Sequence, residues 1–552
     1  MLGCLKIGKK IYITTAGYQL KILLIVPPIQ DYYDTGIRHF PLGLLYLKAA
    51  INHFHPDVDI KIIDFHHDRG KRSIPVPREL KNTKRYFGKN DLSPFSSFYH
   101  YYHFGKEFDP IVDEITSFNP VLVGIASMFT TYYFEVQEIA SRLKRECPHI
   151  KIVLGGAHAS IMAEEIIKDG CADYVVIGEG EQAMVELVSY LKGKMEIHDV
   201  SSIAYKDNSQ IIVNPIKNYA IDKIPSPVDR DFDYSAYRVK DKPMCMILTS
   251  RGCPYQCSFC TTYRVFGRGY RQREVDSIIS EMNLYYEKGI NFFDFEDDNL
   301  TLNRGFIIDL CGRIEEAFRP DKPILTAMNG VSYWHLDQEI LNAMKDAGFV
   351  SVNLSLVSRD RNSDLLRPMD VEKLKEIAWL AYEMGFDVTG YYILGLPGQS
   401  VEQMIGSLEL LASLPLTVGA SPFYLLPGSR LAEGISFDRE RMIKARLTAL
   451  GGNAQDVYTL FILSRIINFI KTLPVTRDMD IGEVLRIPSQ GREAIGKTIL
   501  ERFFKNGEFH VCLSGERFEL NKGINPSILN HLGTTIKTIM AKSGHIIKLV
   551  FL

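Results

Sequence analysis

Short apolar runs separated by amphipathic stretches organise the first third of the chain. KILLIV (21–26), DIKIID (59–64), VLVGIAS (121–127), KIVLGG (151–156) and YVVIGE (174–179) have the near-continuous hydrophobicity of strands buried on both faces. FEVQEIASRLKREC (134–147) and the segment from His158 to Asp169 carry helical periodicity between the later runs. This alternation predicts an α/β domain built on a parallel, doubly wound sheet. Residues 66–110, rich in His, Arg, Tyr and Phe, break the pattern and read as an insertion. SIAYKDNSQIIVN (202–214) predicts a hairpin around an Asp-Asn-Ser turn, and the proline-containing DKIPSPVDRDFDY after it an extended connection.

A second strand–helix series starts near residue 244. Its strands are expected at 244–250, 290–296, 324–330, 350–358, 388–396 and 418–426, and its helices at 274–288, 304–318, 337–347, 371–384 and 400–413. Six strands with five intervening helices predict an open (β/α)6 barrel whose site lies at the strand C-termini. Beyond about 430, ERMIKARLTAL and AQDVYTLFILSRIINFIKTL predict a small, mostly helical cap. The expected organisation is therefore a first domain over 1–195, a linker over 196–240, the barrel over 241–430 and the cap over 431–552.

Composition adds exclusions. A chain of 552 residues exceeds one hydrophobic core, in keeping with several domains. A formal net charge of -2 gives no electrostatic case for nucleic acid or an anionic membrane as partner. The first twenty residues lack a signal-peptide pattern, no run of eighteen apolar residues occurs, and the terminal HIIKLVFL is too short to span a bilayer. Of nine cysteines, six are scattered and three fall within eight residues, which points to a reducing, cytoplasmic setting and a thiolate metal site rather than a disulfide framework.

Those three lie in RGCPYQCSFC, spaced C-x3-C-x2-C directly after the first barrel strand. Three thiolates cover three irons of a cubane and leave the fourth open to substrate, whereas electron-transfer clusters take four cysteines. A zinc site completed by a distant His, or three ordinary cysteines, is the competing reading; zinc sites usually add a second ligand pair at short range, and none is visible. The stretch resembles the signature of the radical S-adenosylmethionine (SAM) superfamily, C-x3-C-x-aromatic-C, with Phe259 as the aromatic. EDDNLTLNR (296–304), GYYILGLPGQS (390–400) and LLPGSRL (425–431) are similar to that family's second-strand, fifth-strand and post-sixth-strand segments, in the same order. The resemblance implies a [4Fe–4S] cluster on Cys253, Cys257 and Cys260 that cleaves SAM to methionine and a 5′-deoxyadenosyl radical. It implies SAM contacts from Phe259, Glu296, Asp298, Asn299, Ser355, Ser358, Tyr391 and Leu396, and an external reductant such as flavodoxin or ferredoxin. One departure stands at the fourth strand: Val357-Ser358 replaces a frequent Glu-Ser, with Ser355, Ser358 or Arg359 as substitutes for the lost carboxylate.

GGAHASIMAEEII and DYVVIGEGE (within 155–181) resemble the cobalamin-binding, Rossmann-like domain that precedes the barrel in one radical SAM subfamily. Gly155-Gly156 and Gly178-Glu179-Gly180 end successive strands, where absent side chains allow a large ligand near the backbone. The expected cobalamin contacts are Ser127, Thr130, Gly155, Gly156, His158, Gly178, Glu179 and Gly180. Turn glycines and a helix-start histidine are the plain structural reading of the same residues. The D-x-H-x-x-G pattern of other cobalamin domains is missing, as is common in this subfamily, so cobalt without a histidine lower ligand is expected. DFHHDRG (64–70) is spaced differently, GLPG lacks the Lys-Ser/Thr of a nucleotide loop, and DRDFDY and EDDN read as solvated acidic loops more readily than cation sites. By analogy with the subfamily, the expected reaction is methyl transfer from SAM to an unreactive carbon or phosphorus of a small-molecule or peptide substrate. Cyclisation or rearrangement without methyl transfer is the alternative within the enzymes, and a non-catalytic cobalamin or iron–sulfur carrier the alternative outside them.

Overall fold

The computed structural model describes residues 5–7, 10–12, 19–32, 40–67, 69–85, 91–96, 100–360, 367–444, 454–473 and 481–542. HIIKLVFL and most of the first twenty residues fall outside these, as does the end of ERMIKARLTAL beyond Lys444. Among the described residues, no helix is long and apolar enough to cross a membrane.

The five apolar runs of the first domain form parallel strands in the spatial order Tyr174–Val176, Lys151–Gly155, Leu122–Ala126, Lys21–Val26, Asp59–Asp64. Helices cover both faces, giving one apolar layer around Leu23, Ile125 and Leu154 and another around Ile22, Leu24 and Val153. The hairpin Ile203–Asp207 and Gln210–Val213 pairs antiparallel with Tyr174–Val176 and makes the sheet seven-stranded. The linker expected from residue 196 therefore begins later. Ile203, Ala204 and Tyr205 are buried, so the hairpin covers an edge that would otherwise present unpaired backbone groups. The helix expected from His158 to Asp169 is split at Met162 into Ala157–Ile161 and Ala163–Asp169. Within the 66–110 insertion, Lys71–Ile74 and Tyr101–Phe104 build a small antiparallel sheet with Ile29–Asp31.

The barrel strands are Lys242–Ile247, Phe292–Phe295, Ile324–Thr326, Ser351–Val357, Asp387–Leu394 and Thr417–Pro422. Parallel pairing joins the first three and the last three, and the bridges Leu325↔Phe349 and Val331↔Leu354 connect the two groups. Alternation sorts the side chains: Cys245, Phe293, Leu354, Val388 and Tyr392 pack into the core beneath the helices. Asn353, Ser355, Thr389 and Tyr391 occupy the intervening positions, on the inner face. The C-terminal region is mostly helical, with a hairpin over His510–Ser514 and Arg517–Leu520. Its helix Ala454–Thr472 lies against the last barrel strand. There the Asn468 amide mimics a neighbouring strand, bonding to both the amide and the carbonyl of Val418 at 2.8 Å.

Candidate active site at the domain junction

The cluster loop begins where the first barrel strand ends. Ser250–Arg251 pairs with Arg271–Gln272, so the loop carrying Cys253, Cys257 and Cys260 is closed at its base by a short antiparallel ladder. The second-strand segment frames it. Asp297, fully buried, accepts from the Thr249 amide at 3.2 Å and the Thr249 hydroxyl at 2.7 Å, as well as from Ser250. Asp298 accepts from the Gly252 amide and the Thr262 hydroxyl, both at 3.1 Å. Asn299 directs its amide at the Cys253 sulfur, 3.8 Å away, and its buried carbonyl oxygen has no hydrogen-bond partner among the described residues. Of the expected SAM contacts here, Asp298 is thus occupied with the loop itself. Glu296 stands further out and accepts from Asn329 at 2.6 Å.

The three thiols are half-buried and none is in a disulfide. Burial raises the Cys253 thiol and pushes Cys257 up to about 11, with the neighbouring sulfurs adding to the burial effect on Cys257. Among the described residues no three Cys, His, Asp or Glu side chains converge to hold a single ion. Three thiolates on one short loop suffice for three irons of a cubane, whereas zinc sites usually take four protein ligands or three and a water.

On the far wall, Tyr255 of the loop is gripped by two residues that follow the third barrel strand. Its hydroxyl lies 2.8 Å from His335 Nε2 and accepts from Trp334 Nε1 at 3.0 Å. The Arg367 guanidinium stacks on Trp334 with its Cζ 4.7 Å from the ring centroid, and donates to the carbonyl and hydroxyl oxygens of Ser355 at 2.8 and 3.3 Å. Burial holds Arg367 below its usual range, and the groups that counter this are the Cys257 sulfur first, then the Tyr333 phenol and the Cys253 and Cys260 sulfurs. A cation therefore stands beside Ser355, two residues before Val357. Val357 has φ of 72° at a register irregularity, an unusual conformation for a β-branched residue, and packs with Leu396, Phe423 and Leu425. Phe259 lies against the same apolar group, so Phe259 and Leu396 form one wall. The Tyr391 ring, on the inner face, lies against Gly330 and Gly419, and Ser358 is buried at the end of the fourth strand.

At the edge of the first sheet, His158 is buried with Nδ1 3.0 Å from the Thr130 hydroxyl, while its Nε2 and the Ser127 hydroxyl have no partner among the described residues. Burial lowers His158 to about 4. Gly156 adopts φ of 117°, and a Cβ there would come within 2.7 Å of the Ser127 carbonyl oxygen. Met128 and Phe129 stand exposed beside it. Gly155, Gly156, Ser127, Thr130 and His158 are thus brought together, and their orphaned polar atoms beside exposed apolar side chains fit a large amphipathic cofactor.

The other expected group does different work. A Cβ on Gly178 would lie 2.9 Å from the Val265 carbonyl oxygen of the barrel, and Leu47 packs on Gly180. Glu179 is buried in ion pairs with Arg251 and Arg271. Of these three residues, expected at a cofactor, Gly180 packs within the first domain on the helix Leu42–Phe54, while Glu179 and Gly178 meet the barrel, Gly178 at the helix Thr262–Phe266. That helix follows Cys260 directly and packs on Ala157–Ile161. A separate cleft of about 470 Å³, lined by Arg359, Glu402, Glu409, Asp456 and His531 among others, lies on the outer face of the barrel; of the residues anticipated for the site it includes only Arg359. Arg367, Asp297 and Trp334 were not anticipated. The chain's possession of only two tryptophans was the one available signal for the last.

Comparison with known proteins places both halves. The family model described as a B12 binding domain matches residues 99–188, and that described as the radical SAM superfamily matches 247–411. An uncharacterized methyltransferase of Pyrococcus horikoshii is 27% identical over 428 residues, covering 75% of this chain and 83% of that protein. The cytidylyl-2-hydroxyethylphosphonate methyltransferase of Streptomyces wedmorensis is 25% identical over 438 residues, covering 72% and 77%. Among solved structures, the radical SAM methyltransferase TsrM of Kitasatospora setae, with cobalamin and a [4Fe–4S] cluster bound, superimposes with a TM-score of 0.58 at 18% identity, over 76% of this chain and 80% of that one. The chain thus carries a B12-binding domain over residues 99–188, followed by a radical SAM domain over 247–411.

Proposed function

We propose that the chain is a cobalamin-dependent radical SAM methyltransferase acting on an unactivated carbon or phosphorus centre of a small-molecule or peptide substrate. The observation that carries this reading is the packing of Ala157–Ile161 on Thr262–Phe266, which sets the edge of the B12-binding sheet beside the cluster loop. Two cofactors held on these two elements would face one substrate space. The cluster supplies the electron that breaks SAM homolytically, and cobalamin supplies a methyl carrier; the polypeptide binds, orients and shields. Cys253, Cys257 and Cys260 would hold the cluster, and Asn299 orients the first of these sulfurs. Glu296, Tyr391 and the Phe259–Leu396 wall would receive SAM, and Ser127, Thr130, Gly156 and His158 would receive cobalamin. The electron would come from a flavodoxin or ferredoxin in the cytoplasm. That both sequence relatives described above are named methyltransferases supports the reading.

The test is anaerobic reconstitution with iron, sulfide and hydroxocobalamin, followed by incubation with methyl-labelled SAM, reductant and candidate acceptors. One equivalent of cobalamin per chain, with both S-adenosylhomocysteine and 5′-deoxyadenosine formed and label in the acceptor, is expected. Label confined to methionine, with 5′-deoxyadenosine still produced, would replace methyl transfer by a cyclisation or rearrangement.

A further inference from the structure

Between the two domains lies a group of buried charges that no cofactor reading uses. Glu179 and Glu181 come from the start of the helix Gly180–Leu191 in the first domain. Arg251 and Arg271 come from the ladder at the base of the cluster loop. Arg251 donates to the two oxygens of Glu181 at 2.6 and 3.2 Å and lies 3.7 Å from Glu179. Arg271 is paired with Glu179, and both also hold the connecting segment: Glu179 accepts from the Tyr219 amide at 2.9 Å, and Arg271 donates to the Tyr219 carbonyl at 3.1 Å. The side chains of Glu179, Glu181 and Arg251 are no more than 6% exposed. Burial alone would raise the Glu181 carboxyl; the Arg251 guanidinium more than offsets it and keeps the group charged.

We infer that this ion network is a positioning device that fixes the edge of the B12-binding sheet at one distance and angle from the cluster loop. The inference rests on the proposed function for its purpose but not for its geometry. Burying three charges and part of a fourth is costly, and apolar side chains of like volume would join the domains at least as firmly. They would also let the surfaces slide. Forked arginine–carboxylate pairs do not, because each fixes direction as well as separation. The contact nearby has no slack either: Gly178 meets the Val265 carbonyl so closely that a methyl group would not fit. Arg251 stands two residues before Cys253, so a shift of the first domain is transmitted straight to the first cluster ligand. GEGE and RGC, separate motifs in the sequence, meet here as the two halves of one joint.

The test uses full-length, cluster-loaded protein with nitroxides attached through a genetically encoded ketone amino acid at exposed Lys168 and Glu316, one on each domain. Pulsed electron–electron distance measurement should give a narrow distribution in the otherwise native chain. Glu181→Gln and Arg271→Gln should each broaden it with iron content unchanged, while Arg313→Gln, which breaks an exposed ion pair, should leave it narrow. With hydroxocobalamin bound and reduced to the cobalt(II) state, the magnetic broadening of its resonance by the reduced cluster should weaken in the first two variants at full cofactor loading. An unchanged distance distribution in both variants overturns the inference, and so does loss of the cluster in both, which would reduce the network to a folding element of the loop. Native chain that takes up no cobalamin overturns the proposed function instead, and the nitroxide distances still decide the joint.

Discussion

Arg367 carries the sharpest consequence at the scale of single residues. A buried cation facing the cluster sulfurs stabilises the reduced, more negative state of a cluster held there. Arg367→Gln should therefore lower the cluster's reduction potential, by an amount on the order of tens of millivolts or more for a partly screened buried charge. Redox titration followed by electron paramagnetic resonance reads this directly, and an unchanged potential would show that the charge is compensated elsewhere. His158 offers a second test. Burial lowers its pKa from 6.5 to about 4, so between those values the unfolded chain binds a proton that the folded chain does not. Stability contributed by the neutral ring is complete above 6.5 and is lost as pH falls towards 4, with a slope of up to about 1.4 kcal/mol per pH unit. His158→Gln should flatten that part of the stability profile measured by denaturant titration.

At the scale of elements, strand and helix positions followed from period and from glycine punctuation, because continuous apolar runs and amphipathic stretches alternate without ambiguity over most of the chain. The barrel strands came within a few residues of their expected ends. What period could not reveal was which sheet the 203–213 hairpin joins, since a hairpin's own pattern carries no information about its neighbour across the edge. Nor could it show that Gly178 lies against the Val265 carbonyl of the barrel, because a glycine at a strand end permits a protein contact or a ligand alike. The docking of Ala454–Thr472 likewise depends on single polar groups. Lys471, fully buried, donates to the carbonyl oxygens of Leu414 and Leu416 at 2.7 Å, and burial lowers it to about 7 from 10.5. Across that interval the unfolded chain holds a proton the folded chain has released, so stability should rise with pH from about 7 to 10.5. Thermal melts of Lys471→Met should lose this dependence.

For the whole molecule, C-x3-C-x2-C and the order of the later motifs were enough to anticipate a three-cysteine cluster at the mouth of an open barrel. Each of those signals is local to one strand end. The joint between domains was not visible, because its members, Glu179, Glu181, Arg251 and Arg271, lie up to 92 positions apart and look like ordinary surface charges until the chain folds. The same holds for Arg367, whose neighbours Trp334 and Ser355 come from the segment after the third strand and from the fourth strand itself.

Chemistry at an iron with no side-chain ligand underlies every function assigned to this chain. The decisive assay is 5′-deoxyadenosine release from anaerobically purified, dithionite-reduced protein given SAM, run beside Cys257→Ala. Release from the native chain, with none from the variant, is the outcome expected. A fully cluster-loaded native chain that releases none, or a variant that still does, would contradict it.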